Sequence, residues 1–152
     1  MKKLLVLCLI TCLTIPSIGL SQDKGIQTEK FNSLYETNQS IVKSKNFQFE
    51  GEWVFEDRDR EELDAATNYL KIEKKNAEGQ LISLSSKGSS VTLSDNIDNY
   101  NVDFDDKKQE ISIQFRVENN TILIVIKPNG KAFLTLTGSS TKITQIGKIT
   151  KL

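Results

Sequence analysis

The sequence predicts a mainly β domain of the α+β class, in which one N-terminal helix is followed by an antiparallel meander of about eight strands forming a sandwich or an open barrel. Three observations lead there. From Asn46 onward the chain runs in short alternations of apolar and polar residues separated by turn residues. A single segment carries helical spacing, so nothing long enough bridges parallel strands and neighbours in sequence pair antiparallel. The run Ile122-Leu123-Ile124-Val125-Ile126 is apolar at every position, which reads as a central strand covered on both faces. With one helix available, the sheet has to curl to supply the second cover.

The first residues are read as an export signal. Lys2 and Lys3 precede an apolar run from Leu4 to Leu13, and Pro16 and the small residues Ser17, Gly19 and Ser21 follow. Such a run is too short to cross about 30 Å of hydrocarbon, and no longer one follows, so no transmembrane span is expected in the mature chain. Gly19 and Ser21 fit the small-residue rule for cleavage between Ser21 and Gln22. The organisation expected is a signal peptide over residues 1–21 and a single antiparallel-β domain with an N-terminal helix over residues 22–152, located in the periplasm or outer envelope. A competing reading cuts before Cys12 and lipidates its thiol. Against it, Leu13, Thr14, Ile15 and Pro16 continue the apolar run where a polar tether is usual. Cleavage at Ser21 removes both cysteines, Cys8 and Cys12, and with them disulfides, thiolate catalysis and Cys-based metal sites.

The helix is expected from about Thr28, as N-cap, to Ser44, with Phe31, Leu34, Tyr35, Ile41 and Val42 on one stripe. The period then changes. Phe47, Phe49, Gly51, Trp53 and Phe55 alternate with polar residues as the aromatic face of a strand, and Gly51 marks a bulge or a close approach of the helix. Leu70 and Ile72 begin the meander, and Ala77-Glu78-Gly79-Gln80 is read as a turn into a strand with Ile82 and Leu84. Val91 and Leu93 mark one strand, and Tyr100, Val102 and Phe104 another. Beyond Asp105-Asp106-Lys107-Lys108 comes the alternation Ile111, Ile113, Phe115, Val117. Glu118-Asn119-Asn120 turns into the apolar run, where Ile124 is expected to be among the most buried residues. Asn129-Gly130 reads as a type I′ hairpin leading to Ala132, Leu134 and Leu136, and a last strand runs from about Thr141 to Ile149.

These segments carry a resemblance. Asn46-Phe47-Gln48-Phe49-Glu50, Asn68-Tyr69-Leu70-Lys71-Ile72, the stretch from Pro128-Asn129-Gly130 through Leu134-Thr135-Leu136, and the closing Ile143-Thr144-Gln145-Ile146-Gly147-Lys148-Ile149 together resemble an exported Bacteroidetes family, domain of unknown function four-two-five-one. The likeness spans most of the chain after the signal peptide and rests on the order and spacing of motifs that are common singly. It implies the fold, an envelope location and a glutamine after the cut, as Gln22 is here. It implies no activity. The departure is Leu84-Ser85-Ser86-Lys87-Gly88, where the family usually has a Leu-Pro-aromatic-x-Gly segment.

The chemistry available is narrow. The chain has no His, and its 20 Lys plus Arg balance 20 Asp plus Glu, so the usual general base, the commonest transition-metal ligand and the thiol nucleophile are all missing from the mature protein. Ser40 with Lys43 and Ser139 with Lys142 have Ser-x-x-Lys spacing, without a glycine-defined elbow. Glu56, Asp57, Asp59, Glu61, Glu62 and Asp64 crowd one segment with Arg58 and Arg60, but a calcium loop needs a glycine to turn it and none lies between Gly51 and Gly79. A solvated loop is the expectation there, and turn sequence at Asp95, Asp98 and Asp103. Lys127, Lys131, Lys142, Lys148 and Lys151 follow the last acid without arginines or stacking aromatics between them, so a solvated face is expected rather than a nucleic-acid surface. No glycine-rich loop precedes a helix, and the sequons at Asn38 and Asn119 carry little meaning beside a bacterial-looking signal.

No catalytic residue, metal or cofactor is therefore expected, and the ligand-binding residues and partner are left unknown. The leading reading is a noncatalytic binding or interaction module of the cell envelope. The alternative is a lipocalin-like carrier of a small apolar ligand, with Phe47, Phe49, Trp53 and Phe55 lining a cavity. An enzyme working with Asp or Glu alone ranks third.

Overall fold

The structure, a computed structural model, describes residues 22–84 and 90–152. The expected signal peptide, both cysteines, Ser21 and most of the segment where the family pattern departs lie outside the described residues. Contact divides the chain into one unit up to Lys30 and a second over Phe31–Leu152. The described part of the first is helical, and every strand among the described residues belongs to the second.

Helix α1 spans Gln22–Ser44, starting before the expected Thr28. Nine strands are found among the described residues: β1 Asn46–Glu56, β2 Asp59–Glu62, β3 Tyr69–Glu73, β4 Asn76–Ile82, β5 Ser90–Asp105, β6 Glu110–Val117, β7 Asn120–Ile126, β8 Ala132–Thr137 and β9 Lys142–Lys151. All pairings are antiparallel. Strand β1 pairs with β3 over residues 46–50 and with β9 over residues 47–55, closing eight strands into a barrel, while β2 pairs with β1 alone. Of the two arrangements expected it is the barrel, and closed rather than open. Closure removes the edges of the eight barrel strands that would invite aggregation, while β2, paired on one side only, keeps one.

An eight-stranded barrel is just wide enough for side chains to fill. Phe47, Phe49, Leu70, Ile72, Leu81, Leu93, Ile111, Ile113, Phe115, Ile122, Ile124 and Leu134 point inward and are fully buried. The part of the helix that belongs to this unit, from Phe31 to Ser44, packs on one end. Its buried stripe holds Tyr35, Asn38 and Val42, and Tyr35 donates its hydroxyl to Asp106 Oδ1 at 2.8 Å in the β5–β6 turn. Leu34 lies beside Gly130 in the β7–β8 turn, and Lys43 sits 5.1 Å above the Phe104 ring.

Five expectations are corrected. The acidic stretch is not a loop: residues 53–56 pair with residues 59–62 as a hairpin turning at Asp57, whose φ is 50°. Ala77-Glu78-Gly79-Gln80 lies within β4, because the turn comes earlier, at Lys74 and Lys75. The strands expected around Leu93 and Val102 are one, β5, bent by a register shift between Asp98 and Asn101. The Asn129-Gly130 turn is not type I′, which needs positive φ at both central residues. Only Gly130 has it, at 80°, and Gly130 donates its N–H to the Lys127 carbonyl. Finally, β7 is covered on one face only. Ile122, Ile124 and Ile126 are buried, whereas Leu123 is 38% exposed.

Candidate functional site

The bulge in β1 decides which aromatic residues face the interior. Gly51 pairs with Gly147 and Trp53 with Ile146, so Glu52 is an extra residue and the alternation shifts by one beyond it. Phe47, Phe49 and Val54 are buried; Trp53 and Phe55 are on the outer face, and neither lines a cavity with Phe47 and Phe49. The Arg60 guanidinium lies 5.1 Å above the Trp53 ring.

The same place explains Gly51. Inside the wall, Asn68 and Gln145 are fully buried and exchange two amide hydrogen bonds of 2.9 Å each. Gln145 Nε2 also donates to the Ile82 carbonyl at 2.9 Å, and Asn68 Oδ1 accepts the Ile82 N–H at 2.8 Å. A Cβ on residue 51 would stand 2.1 Å from Asn68 Nδ2 and 2.6 Å from Gln145 Oε1. Sequence spacing does not reveal this buried amide pair, although Gln145 shares the inward parity of Ile143, Gly147 and Ile149.

A chamber wide enough for water would leave its lining side chains accessible to that water. The inward Phe47, Phe49, Leu70, Ile113, Phe115 and Ile124 have 0% exposure. The interior is filled by the protein's own side chains.

The outer wall offers more. Register places Trp53 beside Ile146, Ile146 beside Phe133, and Phe133 beside Val125, across β1, β9, β8 and β7. All four are half-buried. One row further, Phe55, Thr144, Thr135 and Leu123 are neighbours in the same way. Cross-strand neighbours of this kind stabilise a sheet, but a contiguous apolar stripe on an outer wall also marks a contact surface.

The residues singled out for catalysis are not brought together. Ser40 is exposed, and Lys43 is turned to Phe104 and to Gln39 Oε1, 3.5 Å away. Ser139 and Lys142 are both exposed. Asp95, Asp98 and Asp103 are exposed along β5, and Asp95 accepts the N–H of Asn96. Among the described residues no three or more Asp and Glu side chains gather to hold a metal ion. No helix among them is long and apolar enough to cross a membrane.

The family model described as domain of unknown function DUF4251 matches residues 29–149. No curated protein matches the chain. Among solved structures, the chain is similar to the crystal structure of a DUF4251 family protein from Bacteroides eggerthii. That match has a TM-score of 0.69 at 16% identity, covering 78% of this chain and 88% of that one.

Proposed function

The chain belongs to the DUF4251 family, and from that premise we propose that it is an exported, noncatalytic binding module of the cell envelope whose partner seats on the outer wall of the barrel. The observation that carries this reading is the apolar row Trp53, Ile146, Phe133 and Val125 on the outside of a barrel whose inside is filled. A closed barrel is also the architecture of a small-ligand carrier. Here a ligand would have to displace fully buried phenylalanines to enter, so the filled core favours the exterior.

Phe133→Lys places a charge in the middle of the row without touching the interior. Envelope proteins retained on the immobilised wild-type protein should be lost from the variant while both unfold at the same temperature. Retention of the same proteins by both, or of none by either, rejects the outer wall as the binding surface.

Export rests on Lys2, Lys3, the apolar run and the small residues before Gln22. The intact mass of the protein recovered from the envelope should correspond to a chain beginning at Gln22. A mass fitting an acylated Cys12 terminus would make it a lipid-anchored protein instead.

A further inference from the structure

Where the middle of α1 meets the β7–β8 turn and β9, there is a depression of about 350 Å³, at the small end of the range for ligand pockets. Leu34 and Asn38 line it from successive turns of the helix, Gly130 and Lys131 from the β7–β8 turn, Ile149 from β9 and Glu52 from the bulge in β1.

Asn38 is the residue that packing does not explain. It stands on the inward stripe of α1 between Tyr35 and Val42 and is 8% exposed, at a position where an amphipathic helix carries an apolar side chain. Its carboxamide offers two donors and an acceptor, yet it makes no side-chain hydrogen bond among the described residues. The buried amides of Asn68 and Gln145, by contrast, bond to each other. A polar group placed inside without a partner costs stability. Among the described residues, the side-chain atom that is both sealed from solvent and unbonded is the Tyr100 hydroxyl. The Asn38 amide therefore still touches solvent, and the depression is the space that Asn38 lines.

Two charges on the same lining are also unmatched. Lys127 and Lys148 reach Glu110 and Glu50 on neighbouring strands, whereas among the described residues Lys131 has no carboxylate partner and Glu52 no cation. Both side chains leave from fixed backbone. The Glu52 carbonyl accepts the Leu63 N–H at 2.9 Å, and the Lys131 N–H donates to Asn129 Oδ1 at 3.1 Å. Leu34 and Ile149 add apolar surface.

We propose that this depression binds a free aliphatic α-amino acid. One cation, one anion and an amide able both to donate and to accept, beside apolar surface, match a small molecule that carries both charges on one carbon. Lys131 is the counter-charge of the ligand's carboxylate and Glu52 that of its ammonium, each through a charge-assisted hydrogen bond. The Asn38 amide bonds to the same polar head, and Leu34 and Ile149 cover the side chain.

The test is a titration of the ¹⁵N-labelled protein followed by amide shifts, with alanine and leucine as probes. Leucinamide, which lacks the carboxylate, and N-acetylleucine, which lacks the ammonium, are the comparisons. Leucine or alanine should give saturable shifts confined to residues around Asn38, Lys131 and Ile149, and each comparison compound should bind about tenfold more weakly or worse. Asn38→Leu separates binding from packing. It should weaken binding at least tenfold and raise the melting temperature by a few degrees, because an unpartnered amide on an inward stripe is replaced by an apolar side chain. Lys131→Ala, at an exposed turn, should weaken binding about tenfold with the melting temperature unchanged. A linear response to both amino acids overturns the proposal, as does N-acetylleucine or leucinamide binding as well as leucine. A lower melting temperature for Asn38→Leu, or wild-type binding by either variant, also overturns it, since Asn38 would then serve the fold or the charges would serve nothing.

Discussion

Gln145→Ala is expected to destabilise the protein by about 3–5 kcal/mol in urea melts. The change orphans two buried groups, the Asn68 Nδ2 donor and the Ile82 carbonyl, at about 1–3 kcal/mol each, and leaves a void besides. Against a total of about 5–15 kcal/mol for a domain, this brings the fold close to its limit. The pair should behave as one unit. Asn68→Ala and Gln145→Ala together should cost less than the sum of the single changes, with a coupling of about 1 kcal/mol or more. Gly51→Ala acts on the same amides by forcing them apart, so it too should be less than additive with Gln145→Ala. Small, strictly additive effects would mean that the amide pair is incidental and that Gly51 is required by the bulge alone.

That cluster also shows what the sequence made legible. Hydrophobic alternation named the inward set of β3, β6 and β8 correctly, because a strand half in and half out of a core writes its burial with period two. It failed where the period slips. Beyond the extra residue at Glu52 the parity inverts, so Trp53 and Phe55, on the same sequence parity as Phe47 and Phe49, end on the opposite face. A glycine in the middle of an aromatic strand is a hint of such a slip, but its direction depends on the partner strand, which lies about a hundred residues away in the chain. A separation of 77 residues likewise hides the partnership of Asn68 with Gln145.

The run 122–126 misled for a related reason. Apolar residues on both faces suggest cover on both faces, but a barrel has one inside, and the outer apolar residues are then left to contact something else or water.

Ile124→Ala and Leu123→Ala test the division of β7 into inner and outer faces, using neighbouring residues of the same strand. Ile124 is fully buried, between Ile113 on β6 and Leu134 on β8. Truncation there leaves a cavity among side chains that the closed wall prevents from collapsing, and is expected to cost about 2–5 kcal/mol. Leu123 stands between Gln114 and Thr135 with 38% exposure, and its truncation should cost within about 0.5 kcal/mol, as for an ordinary surface site. Equal costs in urea melts would show that the outer face of β7 is covered in solution, by a second copy or by another part of the chain, and a dependence of the midpoint on protein concentration would separate those two. The expected asymmetry has a consequence for function. A leucine that adds little to stability at a strand's centre, beside a row of four more apolar side chains, is free to be read by a partner, so Leu123→Ala should show its effect in binding while leaving the fold intact.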